Sequence, residues 1–167
     1  LVVRDITQLK KAEQLIRMQN ERFNVALQNM PAGLCVYDKN QRLVVCNASF
    51  GEMYGVSPKM LKPGMAMTEV MELRIANGIY AGGSPEDYLQ NRFQWVARRK
   101  AGSKIETLND GRTIQITQQP LADGGWLSIH EDVSERISAH RALVESERQF
   151  RNLTEGSIQG FYIARNW

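Results

Sequence analysis

The sequence has few cysteines, few histidines and no long apolar run, and each scarcity excludes a class of protein. Its 167 residues contain two cysteines, Cys35 and Cys46, and two histidines, which is too few for a disulfide framework or a structural zinc site. No run of about 18 apolar residues is present to span a bilayer. We therefore expect a soluble, cytoplasmic chain with reduced thiols, no metal site and no direct membrane contact.

The chain also lacks a large excess of charge of one sign, because its 21 basic residues are nearly balanced by 18 acidic ones. The basic cluster Arg98-Arg99-Lys100 ends a predicted helix, where cations complement the helix dipole. The sequence has no paired histidine and nucleophile, no metal-ligand spacing and no glycine-rich loop between a strand and a helix. These absences predict no catalytic residues and no nucleic-acid partner.

The two ends of the chain resemble each other at a constant offset that needs no gap. Asp5 falls on Asp132 and Gly33 falls on Gly160, and in both copies an apolar run, a charged helix and a second apolar run follow in order. The repeat predicts the last strand of a preceding domain at residues 1–7, a linker helix at 8–29, a domain at 30–133, an exit helix at 134–156 and the first strand of a following domain at 157–167.

Between the repeats the sequence predicts five strands and several short helices. The strands are predicted at 33–38, 42–46, 103–108, 112–119 and 126–131, from apolar or alternating runs separated by turn residues. Thr68 is expected to cap one helix, and Ser84 before Pro85 another. We therefore predict an α+β fold in which helices cover one face of a five-stranded antiparallel sheet, with a linker helix at each end.

Three segments carry a family resemblance: 29–38 (NMPAGLCVYD), 45–50 (VCNASF) and 130–135 (HEDVSE). Together with the order of elements they resemble a PAS domain over about residues 30–133. The segment 132–134 resembles the Asp-Ile-Thr junction through which many PAS domains pass into their exit helix, and 5–7 matches that junction letter for letter. The resemblance implies a sensory, homodimeric module in a tandem PAS array.

The segments 47–55 (NASFGEMYG), 78–88 (GIYAGGSPEDY) and 124–132 (GGWLSIHED) are similar to a PAS variety of alphaproteobacterial signalling proteins. The resemblance implies a C-terminal output domain in the same chain, first a cyclic-di-GMP synthase or phosphodiesterase. A sensor histidine kinase and a ligand-free relay and dimerisation domain are the alternatives. His140 lacks the Glu-x-x-x-Pro continuation of a kinase phosphoacceptor, and the Gly124-Gly125 pair lacks the following Asp-Glu-Phe of a cyclase. This chain is therefore not expected to be an enzyme itself.

The resemblance also raises cofactors, and each needs a residue that can be looked for. Haem-binding members need a pocket histidine, but no histidine occurs between residues 31 and 129. Flavin-binding light sensors need an Asn-Cys-Arg-Phe segment, and neither cysteine lies in one. We expect no haem or flavin, and a small ligand of unknown identity is left open. The candidate pocket residues are Asn47, Met71, Arg74, Gln115, Thr117, Ser128 and His130. The alternatives are that the polar ones face solvent or a packed helix and that the methionines fill the core.

Two further sets of residues are predicted to transmit the signal. Asp132, Ser134 and Glu135 form the expected signal junction at the start of the exit helix. A dimer seam is expected on the N-terminal helix, where apolar residues recur every seven positions: Leu9, Ile16, Phe23 and Met30. The alternative for this stripe is an amphipathic helix packed on its own sheet.

Overall fold

The computed structural model describes residues 2–164, and the side chains of residues 6–154. The chain forms two compact units, of which the first ends at Glu131 and the second begins at Asp132. The elements are α1 (Val2–Gln28), β1 (Gly33–Tyr37), β2 (Leu43–Cys46), α2 (Ala48–Met53), α3 (Met67–Ala76), α4 (Pro85–Ala97), β3 (Gly102–Thr107), β4 (Thr113–Pro120), β5 (Trp126–Asp132) and α5 (Ser134–Ala164). No helix in this described part is both long and apolar enough to cross a membrane.

The five strands form one sheet in the order β2-β1-β5-β4-β3. The first strand along the chain, β1, pairs antiparallel with its hairpin partner β2 and with the last strand, β5, where Gly33 lies opposite His130. On the other side β3 pairs antiparallel with β4, with Gly102 opposite Gln118. The predicted five-stranded antiparallel sheet is confirmed, and each strand lies within one residue of its predicted bounds.

The core lies between one face of the sheet and the helices α2, α3 and α4. Ile114 and Ile116 of β4 are fully buried there, as the alternation predicted. On β5 the buried residues are Trp126, Ser128 and His130, whereas the apolar residues between them are half-buried. The inner face of β5 is therefore more polar than its outer face, which the residue types alone do not indicate.

Of the two predicted helix caps, Ser84 is confirmed and Thr68 is not. The Ser84 hydroxyl accepts a hydrogen bond from the Asp87 backbone N–H, with Pro85 at the first helical position, as predicted. Thr68 as a cap is wrong, because α3 already begins at Met67. There the Glu69 carboxylate accepts a hydrogen bond from the backbone N–H of Ala66, which fixes the helix start two residues earlier.

Both ends of the chain are helical where strands were predicted. Residues 2–7 form the start of α1, and α5 continues through residues 157–164; residues 1 and 165–167 lie outside the described part. A strand needs a hydrogen-bonded neighbour, while a helix satisfies its own backbone, and the predicted neighbours would belong to other domains. The assignment of the two ends to neighbouring PAS domains stays a prediction.

Candidate functional site

The centre of the inner sheet face holds a fully buried histidine, His130. Its Nδ1 lies 2.6 Å from the Tyr54 hydroxyl and its Nε2 lies 3.0 Å from the Ser128 hydroxyl, so both ring nitrogens have partners. Burial first, and then the nearby charges of Arg92 and Arg74, hold the pKa of His130 well below its usual value. The imidazole is therefore neutral at physiological pH.

Two buried arginines extend this cluster towards the helices. Arg92 of α4 donates from Nη2 to the Ser128 hydroxyl over 3.3 Å. Arg74 of α3 places its guanidinium carbon 3.4 Å from the centre of the Tyr54 ring and 5.2 Å from that of Tyr88. The arginines are only 3% and 5% exposed. Hydrogen bonds and ring contacts thus connect Arg74 with Arg92 through the tyrosine, the histidine and the serine.

Neither arginine forms a salt bridge with a described carboxylate, and Glu106 acts on Arg74 only at longer range. Glu106, on the inner side of β3, instead forms an ion pair with Lys104. Several buried polar atoms around the cluster have no hydrogen-bond partner: Arg74 Nε and Nη2, Arg92 Nη1, Tyr88 Oη, Gln118 Oε1 and Trp126 Nε1. A buried charge without a partner is costly, and so is an unpaired buried donor. The cluster therefore has the composition of a site and not of an ordinary core.

A cavity of about 450 Å³ opens beside this cluster, at the end of the sheet. Its described lining includes the cations Lys39 and Arg99 and no acidic residue. Arg99 and Gln41, which also lines it, are the two non-glycine residues with positive φ in the described part of the chain, at 47° and 62°. Such backbone strain concentrates at functional sites.

The cavity wall includes residues that are near neighbours of Arg92 and Ser128 along the chain. Val96 lines the cavity and follows Arg92 by one helical turn on the same face of α4. Trp126 lines it too, and precedes Ser128 by two residues on the same face of β5. Arg92 and Ser128 themselves are not among the residues that line the cavity.

The structure brings together some of the predicted pocket residues and separates others. Arg74, Ser128 and His130 belong to the buried cluster, and Met71 lies in the hydrophobic core. Gln115 and Thr117 do not join them, because both lie on the opposite face of β4, where each is 3.3 Å from the hydroxyl of Ser103. The inward residues of β4 are the alternate ones, including Gln118.

Asn47 lies inside the domain but has a structural role. Its Oδ1 accepts from the backbone N–H groups of Leu34 and Phe50, and its Nδ2 donates to the carbonyls of Leu27 and Ala32. All of its donors and its oxygen are used by the backbone, so it joins the end of α1 to β1 and α2. As a pocket residue it has little left to offer a ligand.

Sequence reasoning missed Arg92, Tyr54, Tyr88 and the unpaired groups of Gln118 and Trp126. Periodicity predicts Leu89, Phe93 and Val96 as the inner face of α4. Val96 is buried as predicted and the other two are partly buried, but the remaining buried residues of the helix are Tyr88 and Arg92. The spacing of four between Tyr88, Arg92 and Val96 is the signal that could have found the arginine. Its guanidinium lies 4.9 Å from the centre of the Trp95 ring, and such contacts allow an arginine to be buried.

The predicted signal junction is held by hydrogen bonds within the second unit. Asp132 Oδ1 accepts from the Ser134 backbone N–H at 3.0 Å and from its hydroxyl at 2.6 Å. Glu135 lies in the first turn of α5, where a carboxylate complements the positive end of the helix dipole.

The predicted seam residues are largely uncovered in the single chain. Leu9, Ile16 and Phe23 of α1 are 62%, 57% and 62% exposed. Met30 is half-buried and lies beyond Gln28, where α1 ends, so the helical stripe has three members and not four.

Metal ligands do not cluster in the residues that the structure describes, where no group of three or more His, Cys, Asp or Glu is close enough to hold an ion.

Burial raises the pKa of the Cys35 thiol to about 12. That thiol is therefore protonated and unreactive.

Comparisons with known proteins identify the family and the fold. A family model described as PAS fold matches residues 27–141. The non-motile and phage-resistance protein of Caulobacter vibrioides is 24% identical over 93% of this chain and 17% of its own length. Sporulation kinase E of Bacillus subtilis is 23% identical over 99% of the chain and 22% of its own. The chain thus spans about a fifth of these curated relatives. The PAS domain from Bordetella pertussis BvgS has a similar fold, with a TM-score of 0.52 and 20% identity over 78% of this chain and 98% of that one.

Proposed function

Because this chain belongs to the PAS fold family, we propose that it is a sensory and dimerising module that regulates an output domain outside its own sequence. The observation that carries the proposal is the position of the buried cluster on β5. His130 precedes Asp132 by two residues, and α5 begins at Ser134. A change at the cluster has only a few residues of chain to cross before it reaches the helix.

The type of output is inferred from the proteins in which similar sequences occur. Sporulation kinase E, by its name a kinase, matches almost the whole chain, and this favours a kinase output. The resemblance of segments 47–55 and 78–88 to cyclic-di-GMP signalling proteins supports a cyclic-di-GMP synthase or phosphodiesterase as the second candidate. Both outputs belong to the full-length protein and not to this chain.

We further propose that the module senses a ligand, works without haem or flavin, and does not merely relay. The support is the pair of buried arginines that form no salt bridge with a described carboxylate, because a buried charge without a close partner is costly. A ligand that reaches them alters the surroundings of Ser128 and so of β5.

Dimerisation is proposed to use a second copy of α1. Leu9, Ile16 and Phe23 lie seven residues apart on a helix of 27 residues and are exposed. A seven-residue repeat keeps one stripe of a helix facing a partner helix. Pairing of two such stripes would remove large exposed apolar side chains of α1 from water.

The proposed mechanism makes α5 the transmitting element. The bonds from Asp132 to Ser134 fix where this helix begins, and the helix continues without a break to Ala164. In a paired, continuous helix a small shift at one end becomes a rotation or a change of register at the other. Helical phase should therefore matter more than length.

Insertions in the full-length protein test this mechanism. Seven helix-forming residues inserted after Ala142 should preserve regulation of the output reaction, whereas three or four should lock or invert it. The matched control is a seven-residue glycine-serine insertion at the same place, which has equal length but breaks the helix and should abolish regulation. Output that falls smoothly with insert length, regardless of phase, would show that α5 is a passive tether.

A further inference from the structure

The two cysteines of the chain lie directly opposite each other in the sheet. Cys35 of β1 is paired with Cys46 of β2 in the antiparallel register, and Val36 is paired with Val45. Side chains that are directly opposite point to the same face of a sheet. Both cysteines accordingly pack on the core, in which Cys35 is fully buried and Cys46 is a partly buried neighbour. Both are free thiols.

The type of strand pair brings the two sulfurs within bonding reach. The Asn47 backbone N–H donates to the Leu34 carbonyl over 3.1 Å. Hydrogen-bonded and non-hydrogen-bonded pairs alternate along an antiparallel ladder, so Cys35 and Cys46 form a non-hydrogen-bonded pair, with Cα atoms about 4.5 Å apart. A disulfide spans Cα separations of about 4.4 to 6.8 Å. The two sulfurs can therefore be joined by side-chain rotation without separating the strands.

The two thiols differ in their access to solvent. Cys46 is the last residue of β2, the strand at the edge of the sheet, and is partly exposed. Only 1% of Cys35 is exposed. Burial raises the pKa of both thiols, so little thiolate is present at neutral pH and reaction with an oxidant is slow. A dissolved oxidant meets Cys46 first.

Cys35 also lies next to the buried cluster. Its sulfur is 3.9 Å from Nε2 of His130, and on the side away from Cys46 its strand position faces Ser128 of β5. A covalent bond that draws the Cys35 sulfur towards the edge strand changes its contact with the histidine. Chemistry at the exposed edge of the sheet thus affects the strand that leads into α5.

We propose that Cys35 and Cys46 are a redox pair, which a hydroperoxide converts to a disulfide across β1 and β2, and whose closure alters the contact of Cys35 with His130. In the first step the Cys46 thiolate attacks the terminal oxygen of the hydroperoxide. An S–O bond forms, the O–O bond breaks, and the leaving alkoxide or hydroxide takes up the proton that the thiol released. The product is a sulfenic acid on Cys46.

In the second step the Cys35 sulfur attacks the Cys46 sulfur. An S–S bond forms, the S–O bond breaks, and the hydroxide leaves as water with the Cys35 proton. In total, two electrons pass from the two thiols to the peroxide. Cys35 is too buried to meet a dissolved oxidant itself, but its fixed position opposite the sulfenic acid raises its effective concentration and so compensates for its low thiolate content.

The disulfide is a property of the domain alone, and its value as an input rests on the sensory function proposed above. In a reducing compartment the resting pair stays reduced, and the disulfides that do form there are usually transient and redox-sensing. Oxidation of the pair then acts on β5 from its neighbour β1 and requires no bound ligand.

Tryptic peptide mapping of the folded 167-residue chain after treatment with hydrogen peroxide tests the proposal. Lys39 and Arg42 lie between the cysteines, so trypsin places them on separate peptides, 23–39 and 43–59. Free thiols are blocked with N-ethylmaleimide in denaturant before digestion. We expect the two peptides to be joined in the treated chain, and separate in the untreated chain or after dithiothreitol. Mapping identifies the link even though peroxide also oxidises methionines.

Moving one thiol by a single residue is the matched control. Cys46→Ser combined with Val45→Cys keeps a thiol on each strand but places the second on the other face, since neighbouring side chains in a strand alternate. Its two peptides should become joined at least about tenfold more slowly than those of the parent chain. Cys46→Ser alone should leave Cys35 unmodified, and Cys35→Ser should leave Cys46 as a sulfenic acid that dimedone captures.

Nuclear magnetic resonance of the two histidine rings measures the effect on the cluster. Closure of the disulfide should shift the ring signals of His130 and leave those of His140, exposed on α5, in place. Three results would overturn the proposal: no joined peptides in the oxidised parent chain, joining that is as fast in the moved-thiol control, or joined peptides with unchanged His130 signals. None of them concerns the α5 insertions, so failure of the redox pair and failure of the sensory mechanism are distinguishable.

Discussion

Stability of the domain should fall as the solution is acidified through the range in which a histidine ordinarily titrates. His130 is fully buried with both ring nitrogens bonded, and burial holds its pKa well below the usual value of 6.5. The unfolded chain takes up a proton there as the pH falls below about 6.5, while the folded chain does not. The stabilisation is therefore fully present at neutral pH, and it decreases as the pH falls towards the lowered pKa of the folded state.

The size of this loss follows from the shift alone. A group that is protonated only in the unfolded state lowers the free energy of unfolding by at most about 1.4 kcal/mol for each unit by which the pH falls. Between about pH 7 and pH 5 the loss is therefore at most about 2 kcal/mol. Carboxylates titrate mostly below this window, so the histidine contribution can be isolated.

Urea unfolding at these two pH values, followed by tryptophan fluorescence, measures the loss. His130→Gln keeps donors and acceptors in place, and should remove the loss between the two pH values even if it lowers stability at both. His140→Gln removes the other histidine, which is exposed on α5, and should keep the parental pH dependence. A parent chain equally stable at both values, or a His130→Gln chain with the same loss, would refute the argument.

Three further expectations concern stability, association and cofactor content. Asn47→Ala removes four hydrogen bonds to backbone groups and should cost about 3 kcal/mol in urea unfolding, against about 1 kcal/mol for loss of the single cap in Ser84→Ala; equal costs would contradict the structural role of Asn47. The double variant Ile16→Asp, Phe23→Asp should sediment as a monomer, whereas Val44→Asp, at an exposed site on β2, should not; an unchanged association state in the double variant would exclude the α1 seam. Protein purified from its own host should show no visible haem or flavin band, and a chromophore at near-unit stoichiometry would contradict this.

The strands could be predicted from the sequence because their signals are local. A period of two, bounded by turn residues such as Asn109-Asp110-Gly111, identifies a strand without knowledge of its neighbours. Ser84 before Pro85 identifies a helix start in the same way. The order of the strands within the sheet depends on pairing between distant segments, such as β1 with β5, and local signals do not specify it.

The site was harder to predict because it depends on which face of each strand points inward. Alternation on β4 and β5 gives two faces, but the register between strands decides that Ser128 is inside and Gln115 outside. Residue type misleads here, since β5 turns a serine and a histidine inward. Arg92 was missed because an arginine counts as polar in a sequence pattern. Its aliphatic stem and its contact with the Trp95 ring nevertheless allow it to be buried.

Pairing of the first strand with the last has a consequence for how such proteins can evolve. Gly33, five residues after α1 ends, lies opposite His130, four residues before α5 begins. The polypeptide thus arrives at the sheet and departs from it on adjacent strands. A unit built in this way can be copied, spliced into or deleted from a longer gene with little disturbance to what flanks it, as is generally true of domains whose termini lie close together. New combinations of detector and effector then need no redesign of either.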